Sequence, residues 1–192
     1  FSITISCKER FKRAPSSFRV FSCSTEAILF LVSKVINVSS EMRIPLTPIV
    51  LQICPTSLGE MCYTNTYMEL VVNSSDEMKN FGSRLGALLR GGEVIELVGD
   101  IGAGKTTLTK GIALGMGITD DVQSPTFTIS RVYEAPSGCR LAHYDFYRLV
   151  DAGIMSSELA ESLSDRQTIT ILEWAELVAG VLPSDVLRIT II

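Results

Sequence analysis

Metal-binding and disulfide signatures are missing from this chain. Its five cysteines include no CxxC pair, and its single histidine provides no ligand spacing, which argues against a zinc site. Cys7, Cys23, Cys54 and Cys62 precede Met68 and only Cys139 follows it, so a disulfide framework is not expected either; reduced thiols in a cytoplasmic protein are. Long apolar runs are also lacking. The most apolar stretch, Ala27 to Val32, is broken by Ser33 and Lys34, far short of the roughly 20 residues that span a bilayer, so no membrane association is expected. Nor is there an excess of positive charge: 17 Lys and Arg face 21 Asp and Glu, for a net charge of -4. Unaided grip on nucleic acid needs clustered basic side chains, so any RNA would be met only through another subunit.

Glycine is scarce in one part of the chain only. Of the 14 glycines, Gly59 alone precedes Met68. Residues 1–67 carry seven basic and four acidic side chains, whereas residues 68–192 carry ten and seventeen. Up to Thr25 there are six Ser, five Lys or Arg and a single acid, Glu9, which is also the composition of an organelle transit peptide. Without a sustained period of 2 or 3.6, the prefix 1–67 is better accounted for as upstream sequence ahead of a start at Met68. It is assigned no function and expected to be poorly ordered. Residues 68–192 form one domain.

Patterning begins abruptly at Met68. Met68 to Val72 predicts a short strand. Ser74 with Glu77 makes a capping box opening a helix that carries Met78, Phe81, Leu85 and Leu88 at helical spacing and stops at Gly91-Gly92. Val94 to Val98 predicts a buried parallel strand, followed by a turn and a helix to about Gly115. Thr126 to Glu134 and Arg140 to Tyr147, joined through Pro136-Ser137-Gly138, predict a β-hairpin. Short helices follow at Ser157 to Leu163 and Ala175 to Ala179, with strands at Thr168 to Leu172 and Val186 to Ile192. The alternation predicts an α/β class: a P-loop NTPase-like layered sheet with flanking helices and a β-hairpin.

The turn is the informative segment. Gly99-Asp100-Ile101-Gly102-Ala103-Gly104-Lys105-Thr106 satisfies GxxxxGK[ST] between an apolar strand and a helix, as a phosphate cradle requires. Its glycines let backbone amides approach phosphate oxygens at the positive helix end. Lys105 adds a point charge for the outer phosphates, the Thr106 hydroxyl is a hard ligand for Mg²⁺, and Thr107 is placed for the α-phosphate. Hydrolysis also needs a carboxylate at the metal and a group that orients water. Glu173 closes one apolar strand and Asp145 lies at the end of another.

Four motifs in register, GDIGAGKTTL (Gly99 to Leu108), SPTFT (Ser124 to Thr128), HYDFYRL (His143 to Leu149) and LEWAE (Leu172 to Glu176), resemble the tRNA threonylcarbamoyladenosine biosynthesis ATPase family, TsaE. The resemblance covers about Met68 to Ile192. It implies ATP and Mg²⁺ as ligands, with Gly99 to Thr107 binding nucleotide and Thr106 and Glu173 around the metal. Asp145 would be the acid nearest the hydrolytic chemistry, with Lys105 beside it, and Ser124 and Thr126 would serve as a nucleotide-sensing switch. It further implies an ATP hydrolase that is weak alone and serves the protein subunits of the threonylcarbamoyl-transfer complex. The last strand stops early compared with family members, so a truncated C-terminus is expected. The rival readings are a small-molecule or nucleoside kinase and a non-hydrolysing nucleotide-binding regulator. Against the kinase, arginines after the loop are scattered singly, at Arg131, Arg140, Arg148, Arg166 and Arg188. For His143 a positioning role and a hydrogen-bonded strand histidine both remain open; Arg148 suits a salt bridge, and Tyr144, Tyr147 and Trp174 suit packing.

Overall fold

The structure, a computed structural model, describes residues 1–11, 62–150, 153 and 155–192. Its strands are β1 (Ser2–Phe11), β2 (Cys62–Val71), β3 (Val94–Val98), β4 (Ser130–Glu134), β5 (Arg140–Asp145), β6 (Thr168–Glu173) and β7 (Leu187–Ile191). The helices are α1 (Ser75–Gly86), α2 (Lys105–Gly115) and α3 (Met155–Ser164), with a single 3-10 turn at Ala175–Val178. All seven strands join one sheet in the order β2-β1-β7-β3-β6-β5-β4. β3 runs parallel to β6 and β7, and β5 parallel to β6, whereas β4 and β1 are antiparallel to their neighbours.

Burial on both faces explains the continuous apolar runs. Ile95, Leu97, Leu141, Ile169, Ile171 and Ile189 face one core with α1 and α2; Val94, Ala142, Tyr144 and Leu172 face a second core with Leu159 of α3. This is the layered α/β arrangement of P-loop NTPases that the strand–helix alternation predicts. Among the described residues no helix is long and apolar enough to cross a membrane.

Helix α1 starts at the expected cap, with the Ser74 hydroxyl accepting from the Glu77 amide at 3.1 Å, while the Glu77 carboxylate reaches back one residue further, to the Asn73 amide at 2.8 Å. It then lies unusually close to α2. A Cβ on Gly86 would stand 2.1 Å from the Ile112 carbonyl oxygen, and one on Gly82 would stand 2.6 Å from that of Leu108. Backbone therefore meets backbone, and α2 is held rigidly against the sheet behind the glycine loop.

Three expectations are corrected. Ser2–Phe11, within the segment expected to be poorly ordered, forms a strand between β2 and β7, with Ile3 and Ile5 fully buried. β2 begins at Cys62, ahead of the boundary drawn at Met68, because it pairs with β1 over its whole length. The rest of the prefix, 12–61, lies outside the described residues. β4 starts only at Ser130: Thr128 and Ile129 donate their amides to the Pro125 carbonyl at 2.9 and 2.6 Å, turning the chain before it can pair. The short helix expected at Ala175 to Ala179 is present as a single 3-10 turn, Ala175–Val178.

Asp165 fastens the turn from α3 into β6. It accepts from the Thr168 hydroxyl, from the Gln167 amide at 3.1 Å and from the Arg140 guanidinium at 2.6 Å. Those three donors, the Thr168 hydroxyl foremost, hold its carboxyl at about 2 against an ordinary 3.8. A depressed carboxyl stabilises the fold above the ordinary carboxylate range and loses that contribution as pH falls through its folded value. Asp165→Asn is therefore less stable than the parent at pH 7, and the two converge as pH falls toward about 2, as urea unfolding across pH will show. A gap that stays constant with pH contradicts the assignment. Separately, Gly86→Ala forces α1 and α2 apart and lowers stability by about 1–3 kcal/mol. An unchanged urea midpoint in that variant would show that the helices separate freely.

Candidate functional site

α2 begins without a cap. Gly104, its N-cap residue, sits at φ 101°, where L side chains are strained, and no side chain accepts from the first-turn amides. The first turn also carries no acid. Its amides and the positive end of the helix dipole are thus left for an external anion. Lys105 curls back over the loop, its Nζ donating to the carbonyls of Gly99 and Asp100 at 2.7 and 2.9 Å. The same ammonium lies 4.6 Å from the centre of the Trp174 ring.

Parallel pairing brings the two acids to this loop. Asp145 and Glu173 are register partners at the ends of β5 and β6, and Glu173 is also paired with Leu97 near the end of β3. Both are almost fully buried, at 4% and 3% exposure, and a buried carboxylate must find donors. Asp145 Oδ2 accepts from Ser124 Oγ at 2.9 Å and Thr126 Oγ1 at 2.5 Å, while its Oδ1 accepts from the Tyr147 amide at 3.0 Å. Glu173 Oε1 accepts from His143 Nε2 at 3.0 Å and lies 3.5 Å from Thr106 Oγ1. Ligands of Mg²⁺ stand at ~2.0–2.1 Å from the ion and hence no more than ~4.2 Å apart, so the Thr106 and Glu173 oxygens fit a shared hard cation.

These side chains line one cavity of about 310 Å³. Of the residues expected at the nucleotide, Ile101, Gly102, Gly104, Lys105, Thr106, Thr107, Ser124 and Thr126 are on its wall, together with Asp145 and Glu173. Three are not. Gly99 and Asp100 border a smaller cavity of about 150 Å³ on the other side of Trp174, and Ala103 packs on the core, so these lend the loop backbone and shape. His143 is fully buried against Glu173, and Arg148 lies over the exposed Phe127 ring, 4.6 Å from its centre.

Tyr147 and Trp174, expected only to pack, also line the cavity, their ring centres 5.1 Å apart. Trp174 reaches it because its backbone turns to φ 57° directly after Glu173. Ile129, at φ 66°, is the other non-glycine residue with positive φ among those described, and it follows the Ser124–Thr126 loop. Left-handed backbone at a β-branched residue is strained, and such strain gathers where a site over-determines the chain. No local signal in the sequence announces either conformation.

The sequence pattern described as threonylcarbamoyl adenosine biosynthesis protein TsaE matches residues 72–192. The chain is 43% identical over 118 residues to the Streptomyces coelicolor tRNA threonylcarbamoyladenosine biosynthesis protein TsaE, an overlap covering 59% of this chain and 78% of that one. It is 41% identical over 117 residues to the protein of that name from Bacillus subtilis, covering 60% and 72%. With the Treponema pallidum protein it shares 36% over 124 residues, covering 65% and 90%. The crystal structure of YdiB from Bacillus subtilis aligns with 62% of this chain and 72% of its own at 35% identity and a TM-score of 0.49.

The lysine–tryptophan contact is directly measurable, because Trp174 is the single tryptophan. Lys105→Met removes the cation from the ring face and shifts the emission of the ligand-free protein. Identical spectra for parent and variant would show that the ammonium does not rest there in solution.

Proposed function

The chain belongs to the TsaE family, and we propose that its part in tRNA threonylcarbamoyladenosine biosynthesis is to bind and hydrolyse ATP with Mg²⁺ in the cavity between the glycine loop and the ends of β5 and β6. One observation carries this reading. The ammonium of Lys105, the hydroxyl of Thr106 and two buried carboxylates, drawn from two neighbouring parallel strands and a helix start, converge on a single cavity.

Within it, the uncapped amides of α2 receive the β- and γ-phosphates, and Lys105 leaves the Gly99 and Asp100 carbonyls for phosphate oxygen. Thr106 and Glu173 would hold Mg²⁺, whose positive charge would offset that of the phosphates during transfer. Asp145, between Ser124 and Thr126, orients the attacking water and accepts its proton. The water oxygen forms a bond to the γ-phosphorus as the bond to the bridging oxygen of ADP breaks, giving ADP and free phosphate. The Ser124–Thr126 loop is tied to Asp145 through two hydroxyls, so a γ-phosphate that recruits either hydroxyl alters both loop and acid.

Turnover by this domain serves the protein subunits that transfer threonylcarbamoyl to tRNA, in the cytoplasm. The net charge of -4 supports meeting tRNA only through them. The decisive experiment measures binding and phosphate release, with and without those subunits, using labelled ATP. Lys105→Ala weakens nucleotide binding. Asp145→Asn still binds ATP but turns it over on the order of 10²-fold more slowly. Label recovered on a small acceptor instead of as free phosphate overturns hydrolysis in favour of a kinase, and unchanged turnover in Asp145→Asn removes that residue from the chemistry.

A further inference from the structure

His143 lies in the middle of a parallel strand with no solvent exposure, and its polar tie runs to the cavity. Its Nε2 is 3.0 Å from Glu173 Oε1, whereas Nδ1 is buried without a partner. A carboxylate only accepts, so Nε2 carries the hydrogen. An apolar side chain of similar size at 143 would leave no orphaned nitrogen, and an unsatisfied buried acceptor costs stability. Packing alone therefore gives no reason for a histidine at this position.

We infer that His143 is a positioning residue: it pins Oε1 of Glu173 so that this carboxylate and the Thr106 hydroxyl, 3.5 Å from Oε1, are presented together to the metal of the bound nucleotide. This rests on the Mg-ATP reading of the cavity. His143 is the register partner of Ile171 and so shares a sheet face with Glu173, two residues further along β6. The Glu173 side chain has several rotatable bonds, and the Thr106 hydroxyl at 3.5 Å is too distant to hold it. The imidazole at 3.0 Å is the closer donor, and because strand pairing fixes the ring, the carboxylate is set before any ligand arrives.

The test titrates ATP into the full chain with and without Mg²⁺, reading Trp174 emission, and follows folding by thermal melting. His143→Phe keeps the ring volume and loses the donor. It should lose on the order of tenfold of the gain in ATP affinity that Mg²⁺ confers, with metal-free affinity unchanged. His143→Gln, whose side-chain amide reaches the position of Nε2, should recover most of that gain. A folded Phe variant with the full gain overturns the inference. If Phe does not fold, His143→Asn, whose amide reaches only the position of Nδ1, takes its place; Asn and Gln variants with equal gains overturn it. A parent chain with no Mg²⁺-dependent gain overturns the Mg-ATP reading, and this inference with it. Loss confined to Phe or Asn supports it.

Discussion

The turn from β3 into α2 is the constraint on which the rest of the site depends. Within six residues the chain must leave a buried strand, reverse, and enter a helix whose first amides point into open space. Gly99 can make that departure because it has no Cβ, which would sit 2.6 Å from the Ile191 carbonyl oxygen of the neighbouring strand. Gly104 completes it at φ 101°, entering the helix with no side chain to seal its end. The result is a helix start whose first-turn amides no side chain caps, and amides so placed suit an anion without needing a net positive charge on the protein. An acidic chain is therefore compatible with the phosphate-binding role proposed for the loop.

A cradle of this kind has to be aimed, and its aim comes from two sides. From below, α1 and α2 meet backbone to backbone through their glycines, so the start of α2 has little freedom to move. From beside it, parallel pairing of β3, β6 and β5 ends the strands at one level and stacks Asp145 next to Glu173. Two buried carboxylates so close together would repel and remain unsolvated without donors. The chain supplies them from different elements: hydroxyls of the 124–126 loop for Asp145, and the imidazole of the neighbouring strand for Glu173. Each acid is thereby tied to a different element, which separates a loop-linked carboxylate from a strand-linked one. Family membership gives that separation its setting in tRNA threonylcarbamoyladenosine biosynthesis.

The ligand-free arrangement is itself polarised. Lys105 satisfies its ammonium on loop carbonyls and the face of Trp174, so its charge is held beside the open start of α2. Trp174 can serve as that platform because a left-handed residue directly after Glu173 turns its ring back toward the loop. The strained conformations at Ile129 and Trp174 lie at the far ends of the two segments that close the cavity.

Local features are legible in the amino-acid order itself. The Ser74–Glu77 box, the helical spacing from Met78 to Leu88 and the strand–loop–helix around Lys105 each depend on contacts a few residues apart, so their pattern lies in adjacent letters. The two strand-end acids are also legible, because a charge terminating an apolar run marks where a strand ends. What those acids touch is not. The bond from His143 to Glu173, the grip of Ser124 and Thr126 on Asp145 and the cavity role of Tyr147 and Trp174 follow from which strands pair and in which register. Ser2–Phe11 is the clearest case: the brief alternation around Ile3 and Ile5 is too short to fix an element by itself, and it becomes a strand only between two partners fifty or more residues away in sequence. Short-range sterics and hydrogen bonding suffice for the glycine loop, the helices around it and the identity of the two acids, so the order of residues specifies those unaided. Which donors hold each acid is settled only by the folded sheet, because hydrogen bonds between distant strands exist only once the sheet has chosen its order.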